Sequence, residues 1–333
     1  MGALSTNAFT LLDWAKILDP EGKVAIIAEL LSQRNDMLDD IIWVQGNLEI
    51  GHRTTVRTGL PSVYWRLLNQ AVQTSKSSTA QITETCGMME AWAELDKEVA
   101  ELGGNPDAVR YSEAQAFLEA LNQEMASTLF YGNSSVSPEE FNGLSVRYAD
   151  KSAANAQNII DAGGESSDNS SIWLVVWDEN GIFGTFPKGS TAGLDHENLG
   201  LQTVQGSTGV AGTRMRVYQE KWNWKAGVIV KDWRQAVRIC NIDISNLVAE
   251  SSAADITKNM IKAMHRIGSL NMGNAAFYMN RTMIQMLDIQ RKDSVSAGGG
   301  LTYENVDGKV IFSFRGVPIR TCDSLVENES RVT

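Results

Sequence analysis

Residues Val44 to Glu101 read VQGNLEIGHRTTVRTGLPSVYWRLLNQAVQTSKSSTAQITETCGMMEAWAELDKEVAE, a basic stretch that runs into an acidic one. In its first half Leu48, Ile50 and Val56, then Val63, Trp65 and Leu67, fall on one face of two alternating runs. Glu49, Arg53, Arg57, Tyr64 and Arg66 fall on the other face, the period of two that strands require. Thr58-Gly59-Leu60-Pro61 between the runs has the Gly and Pro of a turn. The spacing predicts a hairpin. At about 3.3 Å per residue, an arm from Leu48 to Gly59 reaches about 40 Å, longer than a compact domain needs. Nothing adjacent in sequence covers its apolar face, so an arm of this length points to contact with a second molecule.

The second half is expected to be a helix of opposite charge. Met88, Met89, Trp92, Leu95, Val99 and Leu102 make an apolar stripe at spacings of three and four. Glu90, Glu94 and Glu98 then form a row at i, i+4, with Glu101 behind it. Two readings stay open. The row is a solvated face relieved by Lys97, or it receives Arg53, Arg57 and Arg66 from a neighbouring copy of the chain.

Composition narrows the function classes. The chain has 333 residues, long enough for a large core and about two domains. A formal net charge of −11 argues against a face that grips nucleic-acid phosphates, yet suits a container whose wall must not adhere to DNA. No run of about 18 apolar residues occurs, so no membrane partner is expected. The N-terminus lacks the basic start and apolar core of a signal peptide. Cys86, Cys240 and Cys322 are odd in number and far apart, which fits buried thiols in a reducing compartment.

Around the central stretch the chain falls into predicted elements. Residues 5 to 40 read as two short helices. Asn69 to Glu84 reads as the partly ordered return limb of the hairpin. Asn105-Pro106-Asp107 starts a helix with a capping side chain, a proline in the first turn and a carboxylate at the positive end of the dipole. Gly132 ends it after roughly 25 residues, well beyond the usual ~11–12. From there strands dominate: Ile172 to Trp177, turning at Asp178 to Gly181 into Ile182 to Phe186, then Trp222 to Val230 and Val237 to Asp243. A helix follows Ser251 or Ser252, with a short strand at Phe277 to Met279 and a helix from Arg281 to Gln290. Lys309 to Phe314 and Val317 to Thr321 close as a hairpin about Arg315-Gly316.

Nothing in this pattern marks out a catalytic residue, a metal or a cofactor. His52, His196 and His265 lack metal-ligand spacing, and the adjacent Asp195-His196-Glu197 side chains diverge. Gly206, Gly209 and Gly212 lack the Lys-Ser/Thr of a phosphate cradle. The alternative to an assembly protein is a soluble α+β enzyme that binds a small ligand at the glycine-rich 189–212 loop.

Several motifs in order resemble one family. They are Arg57-Thr58-Gly59-Leu60-Pro61 with Trp65, Phe141-Asn142-Gly143-Leu144, and Trp224-Lys225-Ala226-Gly227-Val228. Val237-Arg238-Ile239-Cys240-Asn241-Ile242-Asp243, Phe277-Tyr278-Met279-Asn280 and Phe314-Arg315-Gly316-Val317-Pro318-Ile319-Arg320 with Asp323 complete the set. Together they resemble the major capsid proteins of tailed bacteriophages with the Hong Kong 97-type fold, nearest to those of short-tailed phages such as the Bordetella phage and epsilon-fifteen. The resemblance implies an α+β fold with an extended loop, a peripheral domain with a long spine helix, and an axial domain. On this basis residues 1–43 form an N-terminal helical arm, 44–85 the extended loop, 86–149 the peripheral domain with its spine, 150–300 mainly the axial domain, and 301–333 strands that return to the peripheral domain. The implied function is structural, not enzymatic: a virion shell of hexamers and pentamers, assembled in the bacterial cytoplasm around packaged double-stranded DNA. Other copies of the chain are the main partners, with a cement or decoration protein, a scaffold and a portal as further ones. The founding phage of the fold crosslinks its subunits through a loop lysine; Val44 to Gln73 contains none, so covalent chain-mail is not expected here.

Overall fold

A computed structural model describes residues 32–102, 105–205, 213–251, 254–293, 301–306 and 309–333. The helices expected within 5–40 lie mostly outside the described residues, as do the glycines of 206–212. Strands are β1 (Trp43–Gln45), β2 (Gly51–Gly59), β3 (Ser78–Thr85), β4 (Gly87–Asp96), β5 (Ile159–Asp161), β6 (Asn169–Trp177) and β7 (Ile182–Phe186). They continue as β8 (Leu194–Gln205), β9 (Arg214–Val230), β10 (Ala236–Asp243), β11 (Asn274–Met279), β12 (Leu301–Val306), β13 (Lys309–Phe314) and β14 (Val317–Thr321). The helices of eight residues or more among the described residues are Pro106–Tyr131, Ile256–Met264 and Arg281–Asp293. The chain forms two compact units, one of residues 88–127 and 193–225 with 32–35, the other of 36–87, 128–192 and 226–333.

The larger unit is organised on β6, whose residues are buried without exception. Antiparallel β10 and β11 flank it, pairing Val237 with Leu174 on one side and Phe277 with Leu174 on the other. Outward from β11 the order is β14, β13, β12; β5 lies beyond β10. Both faces of β6 are covered, which is why Ile172 to Trp177 is a continuous apolar run with no polar alternation. Ile172, Leu174 and Val176 pack with Met260, Ala263, Met283 and Leu287 from two helices. On the opposite face the Trp173 ring meets Phe130 and Tyr148 at 6.2 and 5.7 Å. Each such large apolar side chain contributes about 1.5–3 kcal/mol on burial. The β13–β14 hairpin turns where expected, with Arg315 and Gly316 at φ of 52° and 84°, the pair of positive values that a two-residue hairpin turn demands.

In the smaller unit β9 pairs with β8 from Leu194↔Trp224 to Gln205↔Arg214 and with β4 on its other side. One face of this sheet packs on the long helix, where Phe117 stacks on Trp222 at 5.1 Å. Leu95, Ala100 and Val109 gather around Tyr218. Asn105 Oδ1 accepts from Ala108 N at 3.3 Å, so the predicted cap starts that helix, and it runs 26 residues to Tyr131.

Three expectations are corrected. Residues 88–95 form strand β4, not an acidic helix; only Lys97–Glu101 is helical. The hairpin does not turn at Thr58 to Pro61. Its return strand is β3, and residues 63–67 belong to no strand, so their alternation has no partner. Within the 189–212 stretch expected to be a loop, 194–205 is strand β8.

Candidate functional site

The hairpin begins as a tightly held root. Gly51 faces Glu84 and Thr85 so closely that a Cβ on it would sit 2.0 Å from the Glu84 carbonyl oxygen. Cys86 N donates to the Ile50 carbonyl at 2.9 Å, and Arg147 Nη1 lies 2.6 Å from Glu84 Oε1. β2 and β3 then pair from Gly51↔Thr85 to Gly59↔Ser78. Thr54 is the last buried residue of β2; outward from it the arm is mostly exposed among the described residues.

The tip, residues 60–77, is apolar and bare. Trp65 is 104% exposed, Leu68 93%, Val63 90% and Leu60 81%. From Gly51 to Ser77 the sequence carries Arg53, Arg57, Arg66 and Lys76 and no Asp or Glu, in a chain of net charge −11. Arg53 is held along the hairpin, its Nε donating to Thr83 Oγ1 at 3.1 Å. Arg57 and Arg66 are exposed and make no ion pair among the described residues.

In the smaller unit, β4 presents Met88, Glu90, Trp92 and Glu94 on the sheet face that the long helix does not cover. Glu90 Oε1 receives Lys221 Nζ at 2.9 Å and Asn223 Nδ2 at 3.2 Å. The Lys221 hydrogen bond holds the Glu90 carboxyl below the usual range. Lys221 Nζ also stands 5.1 Å over the Trp92 ring, and Gln219 Nε2 donates to Glu94 at 2.9 Å. The structure therefore brings Glu90 and Glu94 onto one face and leaves Glu98 out. Glu98 sits in the short helix that Asp96 caps, 3.8 Å from Lys97 Nζ. Sequence reading missed Lys221, Asn223 and Gln219. The signal was present as the odd-numbered polar positions of β9, opposite in parity to Tyr218, Glu220 and Trp222.

On the helix side of the same sheet, Glu220 is shared by Arg110 Nη2 at 2.5 Å and His196 Nε2 at 3.0 Å, with His196 stacked on Trp222. Asp195 and Glu197 lie on the opposite face, so the three adjacent side chains diverge as strand geometry requires. Among the described residues no group of three His, Cys, Asp or Glu side chains is placed to hold a metal.

A body with a rigidly rooted arm and an uncovered apolar tip defines a protein of the assembling class. The chain belongs to the family of the major capsid protein GP7, whose model matches residues 19–333. Among solved structures, a chain of bacteriophage Epsilon15 determined by cryo-EM is 32% identical over 100% of both chains, with a TM-score of 0.79. The capsid of bacteriophage JBD30 is 9% identical over 89% of this chain and 92% of that one, at 0.48. The capsid of the native GTA particle is 10% identical over 71% and 99%, at 0.45. No curated protein matches. The fold is the α+β, Hong Kong 97-type capsid fold. The chain is a shell-forming capsid protein of the virion that associates with copies of itself.

Proposed function

We propose that the shell is icosahedral, built of hexamers and pentamers around packaged double-stranded DNA, with the hairpin tip of one copy lying on the β8–β9–β4 face of another, on the side away from the long helix. The observation that carries this reading is the bare tip: an acid-free, arginine-bearing segment with Trp65 and Leu68 in solvent. Such a surface is a docking surface. The receiving face has the complementary sign. Glu90, Glu94, Asp195 and Glu197 lie there with Lys221 and Lys225, while Glu98 stays outside the face. Arg57 and Arg66 approach this face, while Arg53 stays on its own hairpin. The pairs set register; the apolar tip supplies the binding.

The smaller unit corresponds on this reading to the peripheral domain, the larger unit includes the axial domain, and 44–85 is the extended loop. A wall of net charge −11 encloses DNA without reading its sequence. Assembly takes place in the bacterial cytoplasm, with a scaffold, a portal and a cement protein as partners. Electron microscopy of purified Arg57→Glu is the test. It should assemble poorly while folding normally, and Glu94→Arg should partly restore shells. A compact monomer at every concentration for the unaltered chain, or assembly of Arg57→Glu with unchanged salt dependence, overturns the reading.

A further inference from the structure

The direction of the arm is decided at its root, and one ion pair there ties it to the body. Glu84 stands opposite His52 near the base of the hairpin. Its carboxylate meets Arg147, which lies in the one-turn helix Leu144–Arg147 of the same unit. The two side chains are only 12% and 18% exposed, so water screens the pair weakly. Arg147 Nη2 also donates to the carbonyls of Val228 at 3.3 Å and Asn142 at 3.4 Å. One guanidinium thus joins the hairpin, the end of β9 and the turn before its own helix. The two carbonyl contacts are long, and Arg147 Nε is buried without a hydrogen-bond partner. Glu84 is therefore the strong partner of a group that is otherwise loosely held.

We infer that Arg147 is a latch: its pair with Glu84 fixes the angle at which the hairpin leaves the body, and opening the pair lets the arm swing about Ile50–Gly51 and Cys86–Gly87. The other root contacts include backbone pairing, close glycine packing, the Asn47 side chain bonded to the Arg53 backbone at 2.7 and 2.8 Å, and the edge of the His52 ring against Phe183 at 5.5 Å. These are uncharged, and most of them resist separation of the strands more than rotation of both together. The lever amplifies small changes. Gly59 lies eight residues beyond Gly51, about 26 Å at 3.3 Å per residue, so a turn of about 10° at the root displaces it by about 5 Å. The latch stands on the root geometry alone; only its consequence for shells rests on the proposed docking of the tip.

Hydrogen exchange on the full-length, unassembled subunit tests the latch, so its failure is separate from a failure of the docking proposal. The reporter is the Cys86 amide, bonded to Ile50 at 2.9 Å; the control is the Ala162 amide, bonded to Cys240 at 3.0 Å. In Arg147→Met and in Glu84→Gln the Cys86 amide should exchange about tenfold faster, equivalent to about 1.4 kcal/mol, with Ala162 unchanged. Arg147→Lys should fall between, because an ammonium cannot hold the carboxylate and span both carbonyls. An unaltered Cys86 rate, or equal acceleration of both amides, overturns the latch. Should Arg147→Met fail to fold, Glu84→Gln decides the matter, since it removes the charge and keeps the shape.

Discussion

Glu329 and Arg238 form a buried ion pair in the larger unit, Oε2 to Nη2 at 2.8 Å, each side chain 5% exposed. The same carboxylate accepts from the hydroxyls of Ser171 and Tyr131, and Glu329 N donates to the Asn169 carbonyl at 2.8 Å. Arg238 Nη1 donates to the Tyr148 carbonyl at 3.0 Å, and the guanidinium lies 5.3 Å over the Trp173 ring. One pair thereby fastens the segment around Glu329 to β6, β10 and the end of the long helix. Burial, and then the neighbouring Glu329 charge, push the Tyr131 hydroxyl far above its ordinary range, so it stays a donor.

Removing one partner strands the other charge in the core. Glu329→Gln should lower subunit stability by about 3–5 kcal/mol, the usual cost of an unpaired buried ion. The double change Arg238→Met with Glu329→Leu should cost less than the two single changes added together, because no lone charge remains. Urea unfolding of unassembled subunits measures both. A loss below about 0.5 kcal/mol for Glu329→Gln, the range of an ordinary surface substitution, would sink this account.

The root of the hairpin gives a sharper steric prediction. A Cβ at residue 51 meets backbone on two sides, the Glu84 oxygen at 2.0 Å and the Thr85 Cα at 3.0 Å, and backbone cannot step aside as a side chain can. Gly51→Ala should therefore part β2 from β3 at the base, at a cost of about 1–3 kcal/mol, with shells lost. Gly268 provides the contrast, since a Cβ there meets nothing within 4 Å and its φ is not positive. Gly268→Ala should leave stability unchanged or raise it by about 0.4–1 kcal/mol through the unfolded chain. Thermal unfolding and microscopy of the two variants side by side check the contrast.

How far the sequence revealed this architecture depended on whether a segment's local signal agreed with its neighbours. Ile172 to Trp177 was plain because a strand buried on both faces needs apolar residues at every position. Arg315-Gly316 was plain because the turn conformation is local. β4 was misread because Met88, Met89, Trp92 and Leu95 also fit a helical stripe, and its Ala, Glu and Leu residues favour helix. Pairing with β9 overrides that preference, and the face toward the helix is then marked by Met89, Ala91, Ala93 and Leu95. β8 carried almost no signal. Leu194 to Gln205 is a polar, mostly exposed strand held by its hydrogen bonds to β9, which hydrophobic patterning does not register. In the candidate site, the charge and projection of the hairpin were legible, whereas the Glu84–Arg147 pair joins residues 63 positions apart and left no local trace.

The thiols predict a loss of stability at alkaline pH. Burial pushes Cys86 and Cys240 from an ordinary 9.0 to about 11, and Cys322 to about 12. Above pH 9 the unfolded chain releases these protons while the folded chain retains them, so the unfolded state binds fewer protons and stability falls as pH rises. Their contribution should be complete below pH 9 and decline from there to about pH 11–12. The same protonation should make all three slow to alkylate at pH 8, because the thiolate is the nucleophile. Melting temperatures across the alkaline range, compared between the natural chain and Cys322→Ala, test the sign. A flatter decline in Cys322→Ala supports it, and a parallel one contradicts it.

Trp65 separates folding from assembly. Its side chain is fully exposed, so truncating it removes nothing that the isolated subunit buries. Trp65→Ala should change subunit stability by no more than about 0.5 kcal/mol. In the shell, however, an aromatic of this size at a docking tip is the kind of residue on which binding concentrates, with losses of about 2 kcal/mol or more on truncation. Because each shell repeats the contact many times, even that loss should raise the concentration at which particles form by more than tenfold. Light scattering against subunit concentration reads that threshold, and urea unfolding of the same preparation reads the stability. Leu68→Ala, at a position 93% exposed on the same tip, should show the same separation to a smaller extent, since it removes less apolar surface. A lowered unfolding midpoint with an unchanged threshold would place Trp65 against its own subunit in solution and remove the tip from the assembly contact.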